Sequence, residues 1–274
     1  MKMFAAIILS IVVTYVCNAQ STYESREAVC ILGSDLINRD QEISDLNAIV
    51  RYLESQNYKV HKFFNESNDW EAIKKASLNA TIFIYRGHGT HLGIDEGFGG
   101  IVIGDFISAQ KIASELKFNK NPIVLFPSVC GGAGSSAGDE TDIGILEAQK
   151  RVIGSSLPFF LCGAKAYYAN NYSGGMLKFL NKLSENSTIE QLFESTASTW
   201  NTVEINKPVT DKRLNSNFKI GIASSKGGGT SVVTKTINGV TTTKTMISCK
   251  GYEIAYVGDP NYRINGSMVL SKIK

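Results

Sequence analysis

Two short runs of this chain, Thr81-Ile82-Phe83-Ile84-Tyr85 and Ile123-Val124-Leu125-Phe126, are apolar but for the opening threonine and show no alternation with polar residues. A strand with one wet face alternates, whereas a strand covered on both faces does not. Strands of the second kind belong to parallel sheets held between helices. The segments around them carry helical spacing. Ile43, Leu46, Val50 and Leu53 place one apolar face on a helix over about 41–55, and Met176, Phe179, Leu180 and Leu183 do the same further on. Ala28–Gly33 and Tyr58–Phe64 read as the first two strands, with a short helix carrying Trp70 and Ile73 capped by Asn68. Ile143, Leu146 and Val152 mark another helix, and Leu157–Tyr168 reads as a fifth strand. Thr188 and Gln191 form a capping box ahead of Ile189, Leu192, Phe193 and Ala197. Strands alternating with helices predict an α/β fold: a mostly parallel central sheet with helices on both faces. The tail differs. Thr230–Ile237 and Val240–Ile247 flank Asn238-Gly239, a strong hairpin signal, and predict a C-terminal β-hairpin before a last strand, Tyr252–Val257.

The N-terminus carries a processing pattern. Lys2 precedes the apolar run from Phe4 to Val16, and Cys17-Asn18-Ala19 offers a cleavage site before Gln20. Residues 1–19 are therefore expected to be a signal peptide and 20–274 a single domain, secreted or periplasmic. The run is too short to predict a membrane span. With 28 basic against 25 acidic residues the net charge is +3, and no basic stripe points to nucleic acid. Four cysteines remain after cleavage, Cys30, Cys130, Cys162 and Cys249, without the spacing of a metal site or a disulfide scaffold. Cys30 and Cys162 lie inside apolar patterns and read as buried hydrophobes. Cys130 is different, because it closes an apolar run and stands against Gly131 and Gly132.

Ligands of open parallel sheets bind beyond the carboxyl ends of the strands. His88 follows the strand 81–85 and Cys130 follows the strand 123–126, so neighbouring strands would bring imidazole and thiol to one crevice. There a histidine can take the thiol proton and return it to a leaving amine. Gly89 allows a sharp turn, and the amides of Gly89 and Cys130, with Gly131 beside them, are the candidate oxyanion donors. Asp95, Glu96 or a backbone carbonyl would orient His88.

A hydrophobic strand ending in His88-Gly89, then a hydrophobic strand ending in a small residue and Cys130, resembles the caspase–gingipain–clostripain clan of cysteine peptidases. Phe159–Ala166 is similar to the strand after the nucleophile in gingipain-like and CHAT-type domains. Val257-Gly258-Asp259-Pro260 resembles the end of gingipain-type catalytic domains. The resemblance implies a caspase-like three-layer fold and peptide hydrolysis through a Cys130 thioester, with His88 as general base and acid. It also marks a departure: clostripain-like members often carry an acid two positions before the cysteine, where this chain has Ser128. Ser128 and Arg86 are candidates to line a substrate pocket, Arg86 one for an acidic side chain, with a solvated strand-end residue as the equal alternative for Arg86. Some relatives bind calcium, and the loop with Asp95, Glu96 and Asp105 is compatible with Ca²⁺, but a solvated acidic loop is the preferred reading and no cofactor is required. His61 reads as a surface or packing residue, and His91 lacks partners at zinc-ligand spacing. Lys150-Arg151 and Lys212-Arg213, in expected exposed positions, suggest self-cleavage. The expected partner is a protein or peptide substrate. A non-catalytic partner-binding module and another cysteine-dependent amidase or acyltransferase stay open.

Overall fold

The computed structural model describes residues 26–91, 98–136, 139, 141–172, 174–183, 187–200, 203–225, 230–237, 240–247 and 251–264; for 90, 91, 98, 230–237 and 240–247 it gives backbone pairing alone. The expected signal peptide, Asp95, Glu96, Cys249 and the Asn238-Gly239 turn lie outside these residues.

Side-chain alternation along the strands divides the apolar residues between two helical layers. The chain begins with β1 (Arg26–Leu32), α1 (Arg39–Ser55), β2 (Tyr58–Phe63), α2 (Trp70–Ser77) and β3 (Ala80–Arg86). A small three-stranded sheet follows, β4 (Gly89–His91), β5 (Phe98–Val102) and β6 (Phe106–Ser108), then α3 (Ala109–Glu115). Next come β7 (Ile123–Pro127), α4 (Gly144–Leu161), β8 (Ala166–Asn170), α5 (Gly175–Leu183) and α6 (Ile189–Ala197). The chain closes with β9 (Val203–Ile205), β10 (Lys219–Ser225), the hairpin β11 (Thr230–Ile237) and β12 (Val240–Ile247), and β13 (Tyr252–Gly258). In β1, Val29 and Ile31 belong to the core layer shared with α2, α3 and α4, while Ala28, Cys30 and Leu32 belong to the one shared with α1, α5 and α6, all of them buried.

The main sheet has the order β2-β1-β3-β7-β8-β13-β10-β9. Its pairings are parallel from β2 to β8 and antiparallel from β8 to β9. Stepping from β1 to β2 moves one way along the sheet, and stepping from β2 through β3 and β7 to β8 moves the other. Right-handed crossovers therefore place α1 on one face and α2, α3 and α4 on the opposite one. This is the three-layer α/β arrangement expected from the sequence, mostly parallel, with a C-terminal β-hairpin. Beneath its carboxyl edge lies an aromatic cluster. Phe126 meets Tyr85, Phe159 and Tyr167 at centroid separations of 5.6, 5.5 and 5.2 Å, which ties the carboxyl ends of β3 and β7 to α4 and to the start of β8. No helix among the described residues is long and apolar enough to cross a membrane.

Several elements differ from expectation. Leu157–Tyr168 is not one strand: α4 runs on to Leu161, Gly163 (φ +105°) breaks it, and β8 starts at Ala166. Periodicity cannot separate a buried helix from a buried strand in such a run, and Pro158 argues against a helix that nevertheless contains it. Asn68 does not cap α2. Asp69 does, accepting from the Glu71 amide, while the Asn68 side chain donates to the carbonyls of Leu32 and Asn65. The capping box of α6 forms in both directions. The glycine-rich stretch between His88 and Ile123, read as loop, contains β4, β5, β6 and α3.

Candidate active site

In this sheet the direction of strand addition reverses between β1 and β3, so the chain leaves those two strands toward opposite faces and opens a crevice between them. The segment after β1 carries Asp35 and the segment after β3 carries His88. They meet across the crevice: His88 Nε2 lies 3.0 Å from the Asp35 backbone oxygen. A carbonyl oxygen can only accept, so Nε2 carries a proton, and in the neutral ring the lone pair is on Nδ1. Asp35 holds φ at +59°, a left-handed conformation that aspartate tolerates better than most residues. The orienting group for His88 is thus a backbone carbonyl, one of the possibilities left open by the sequence. It escaped residue-by-residue reading because every residue owns such an oxygen. Only the strand order identifies which one is used.

Cys130 comes to the same edge from β7, which pairs with β3 in parallel. The two turns touch through Gly89: a methyl group placed there would lie 2.0 Å from the Cys130 carbonyl oxygen and 3.0 Å from Val129 Cγ1. No side chain fits at that position without separating the histidine turn from the cysteine turn. Cys130 is half-buried, while His88 is exposed at the crevice. Cys30 and Cys162 stand in contrast. Cys30 is completely buried, and its burial raises the thiol far above the ordinary range. Burial also pushes the Cys162 thiol up to about 12, and its sulfur lies 3.2 Å from Ile112 O and 3.0 Å from Pro158 O.

The segment around Cys130 is fixed by its own backbone. Ser128 sits at φ +55° and its amide donates to Asn170 O at 3.0 Å. Gly132 donates to Val129 O, and Gly131 donates to Ser135 O at 2.7 Å. The Gly131 amide is therefore committed within the loop; the other two oxyanion candidates are Cys130 and Gly89, which stands opposite Ile101 in the β4–β5 ladder. Ser135 in turn bonds Tyr252 of β13 in both directions, through Ser135 N to Tyr252 O at 3.0 Å and Tyr252 N to Ser135 Oγ at 2.6 Å.

Other expected residues fall elsewhere. The Arg86 guanidinium binds the carboxylates of Glu42 and Asp45 on α1, the latter at 2.9 Å, so this cation is already neutralised and does not line an open pocket. His61 Nε2 lies 2.6 Å from Glu27 Oε2 on the neighbouring strand, a packing role. Lys150-Arg151 is not an exposed linker but part of α4. Arg151 binds both oxygens of Asp139 at 2.8 Å, Glu147 at 3.1 Å and Gly134 O at 3.2 Å, tying down the loop beyond Cys130. Lys212-Arg213 is exposed. No group of three or more His, Cys, Asp or Glu converges among the described residues; Asp105 is exposed, and Asp95 and Glu96 lie outside them.

No protein-family model matches this chain, and no curated protein does. Among solved structures it is similar to the Drosophila initiator caspase Dronc, 11% identical, covering 64% of this chain and 71% of that one with a TM-score of 0.37.

Proposed function

We propose that this chain is a cysteine peptidase, secreted or periplasmic, in which Cys130 is the nucleophile and His88 the general base and acid. The observation that carries the proposal is the junction of the two turns at Gly89, which seats the histidine turn directly on the Cys130 carbonyl. With its Nε2–H donating a hydrogen bond to Asp35 O, His88 presents the Nδ1 lone pair to take the thiol proton. The thiolate adds to the carbonyl carbon of the substrate. The Gly89 and Cys130 amides stabilise the oxyanion, at about 3–4 kcal/mol per donor. His88 then returns its proton to the amine as the C–N bond breaks, and water, deprotonated by the same imidazole, releases the thioester. A thiol needs less activation for this than a hydroxyl would, so a base held only by a neutral carbonyl suffices.

The test is cleavage of a peptide library by the chain and by its Cys130→Ala and His88→Ala variants, together with labelling by an electrophilic peptide probe. Loss on the order of 10⁴-fold in both variants is expected. Undiminished cleavage in both variants would overturn the proposal. A wild-type chain inert to every thiol-directed probe, yet retaining a specific partner, would favour a non-catalytic binding module. Turnover confined to non-peptide amides or esters would move the same dyad to another reaction.

A further inference from the structure

One buried hydroxyl ties together the pieces that hold the candidate histidine. Tyr85 lies on β3, three residues before His88, and its side chain is fully buried. Its hydroxyl donates to the backbone oxygen of His88 at 2.9 Å and accepts from the Val102 amide of β5 at 3.1 Å. The Val102 oxygen is 3.4 Å away, a longer and poorer acceptor. Two glycines make room for this phenol. A methyl group on Gly87 would lie 2.5 Å from the hydroxyl oxygen, and one on Gly33 would lie 3.0 Å from it and 2.8 Å from Val102 O. Gly33 opens the segment that leads through Ser34 to Asp35. That segment is held by Gly33 N to Arg86 O at 2.8 Å and Ser34 N to Val102 O at 3.1 Å. The hydroxyl thus sits where three things meet: the backbone of His88, the strand beside it, and the turn whose Asp35 carbonyl accepts the imidazole N–H hydrogen bond.

We propose that Tyr85 is a positioning residue for His88, setting its backbone directly and its ring through the Gly33–Asp35 turn. This rests on the assignment of His88 and Cys130 as the reacting pair. The phenol touches no substrate; it fixes the height of the His88 backbone and the distance to the Asp35 carbonyl. Burial raises the Tyr85 hydroxyl well above its ordinary range, so it remains a neutral donor wherever an imidazole can act as a base. A buried group that both donates and accepts leaves two orphan partners when it is deleted, here Val102 N and His88 O, and the turn must shift to satisfy them.

The experiment is Tyr85→Phe in the full chain, assayed on the best peptide from the library. A fall of about 10- to 100-fold in kcat with KM within about two-fold is expected, since misplacement by a fraction of an ångström disables chemistry more than binding. The imidazole Nε2 proton of His88, observable by NMR when it is held on Asp35 O, should exchange too fast to detect in the variant. A folded Tyr85→Phe protein with wild-type kcat, or one with lowered kcat but an unchanged imidazole proton, overturns the proposal. If Tyr85→Phe does not fold, a ring-fluorinated tyrosine at position 85 keeps the shape and changes only the donor strength. A kcat altered at least about three-fold with a moved imidazole resonance then supports positioning, and unchanged values overturn it. Cys130→Ala run alongside separates the two ideas: retained cleavage there means the reacting pair, not the positioning, is wrong.

Discussion

The two ends of the parallel strands treat a cysteine in opposite ways. At the amino end, Cys162 follows α4, is 8% exposed, and has its sulfur against two carbonyl oxygens. At the carboxyl end, Cys130 is half-buried in a turn built from backbone hydrogen bonds, against Gly89 and close to the crevice. The amino end packs its thiol away; the carboxyl end leaves one partly accessible in a turn tied by backbone hydrogen bonds. The strongest way to break this contrast is chemical. Brief alkylation of the native chain by iodoacetamide, followed by peptide mapping, should modify Cys130 on the order of 100-fold faster than Cys162 or Cys30, because the reactive form is the accessible thiolate. Comparable rates at Cys130 and Cys162 would erase the distinction.

Arg86 tests whether the carboxyl end is functional throughout or only at its crevice. Its guanidinium serves two acids of α1, so Arg86→Gln leaves Glu42 and Asp45 half-buried without their cation. A loss of about 1–3 kcal/mol in unfolding free energy is expected, discounted from the fully buried case because both carboxylates keep some contact with water. The ratio of cleavage at acidic over neutral side chains should stay within about two-fold. A large drop in that ratio with unchanged stability would return Arg86 to the substrate pocket.

Cys162 gives the complementary measurement. Removing its sulfur in Cys162→Ala should lower stability by about 1–2 kcal/mol through lost packing and leave turnover intact, whereas Cys130→Ala should do the reverse. Its protonation supplies a second readout. Burial lifts the thiol up to about 12 in the folded chain, against about 8.5 for an unfolded cysteine. The proton is held more tightly in the folded state, so this contribution is complete below about 8.5 and is lost as pH rises toward about 12. Buried tyrosines and Cys30 add to the same alkaline slope. The relevant quantity is therefore the difference: urea midpoints of Cys162→Ala should fall less steeply above about pH 9 than those of the wild type.

How much of this was legible in the sequence follows from what each feature depends on. Buried strands, the α6 capping box and the hairpin depend on local pattern, and Thr188, Gln191 and the Thr230–Ile247 segment carried it plainly. His88 and Cys130 were legible as strand-end residues beside glycines. What completes the candidate site was not, because it consists of backbone groups and long-range packing: the Asp35 carbonyl, the Ser135–Tyr252 exchange, and the hydroxyl of Tyr85, which in sequence is simply one more apolar strand residue. Arg86 and Arg151 misled for the same reason. A charged residue's meaning lies in its partner, and their partners come from α1 and from the loop after Cys130.

The smallest effect concerns backbone conformation, and it compares the two edges most directly. Both carry a non-glycine residue in the left-handed region close to β7: Asn121 (φ +51°), two residues before the strand, and Ser128 (φ +55°), directly after it. Asparagine is among the residues that tolerate this region, whereas serine there costs about 1 kcal/mol, a cost sustained by the surrounding structure. Ser128 keeps its amide on Asn170 O, two residues before the thiol, so the unfavourable conformation aims the Cys130 turn. Replacing it with glycine relieves the strain and loosens the constraint together. Ser128→Gly should therefore hold or raise the melting temperature, by at most about 1 kcal/mol in stability, while kcat falls several-fold. Asn121→Gly at the other edge should change stability by only a few tenths of a kcal/mol and leave kcat alone. If the two variants behave alike in kcat, the left-handed serine is only a turn, and the edges differ in their thiols rather than in the backbone that holds them.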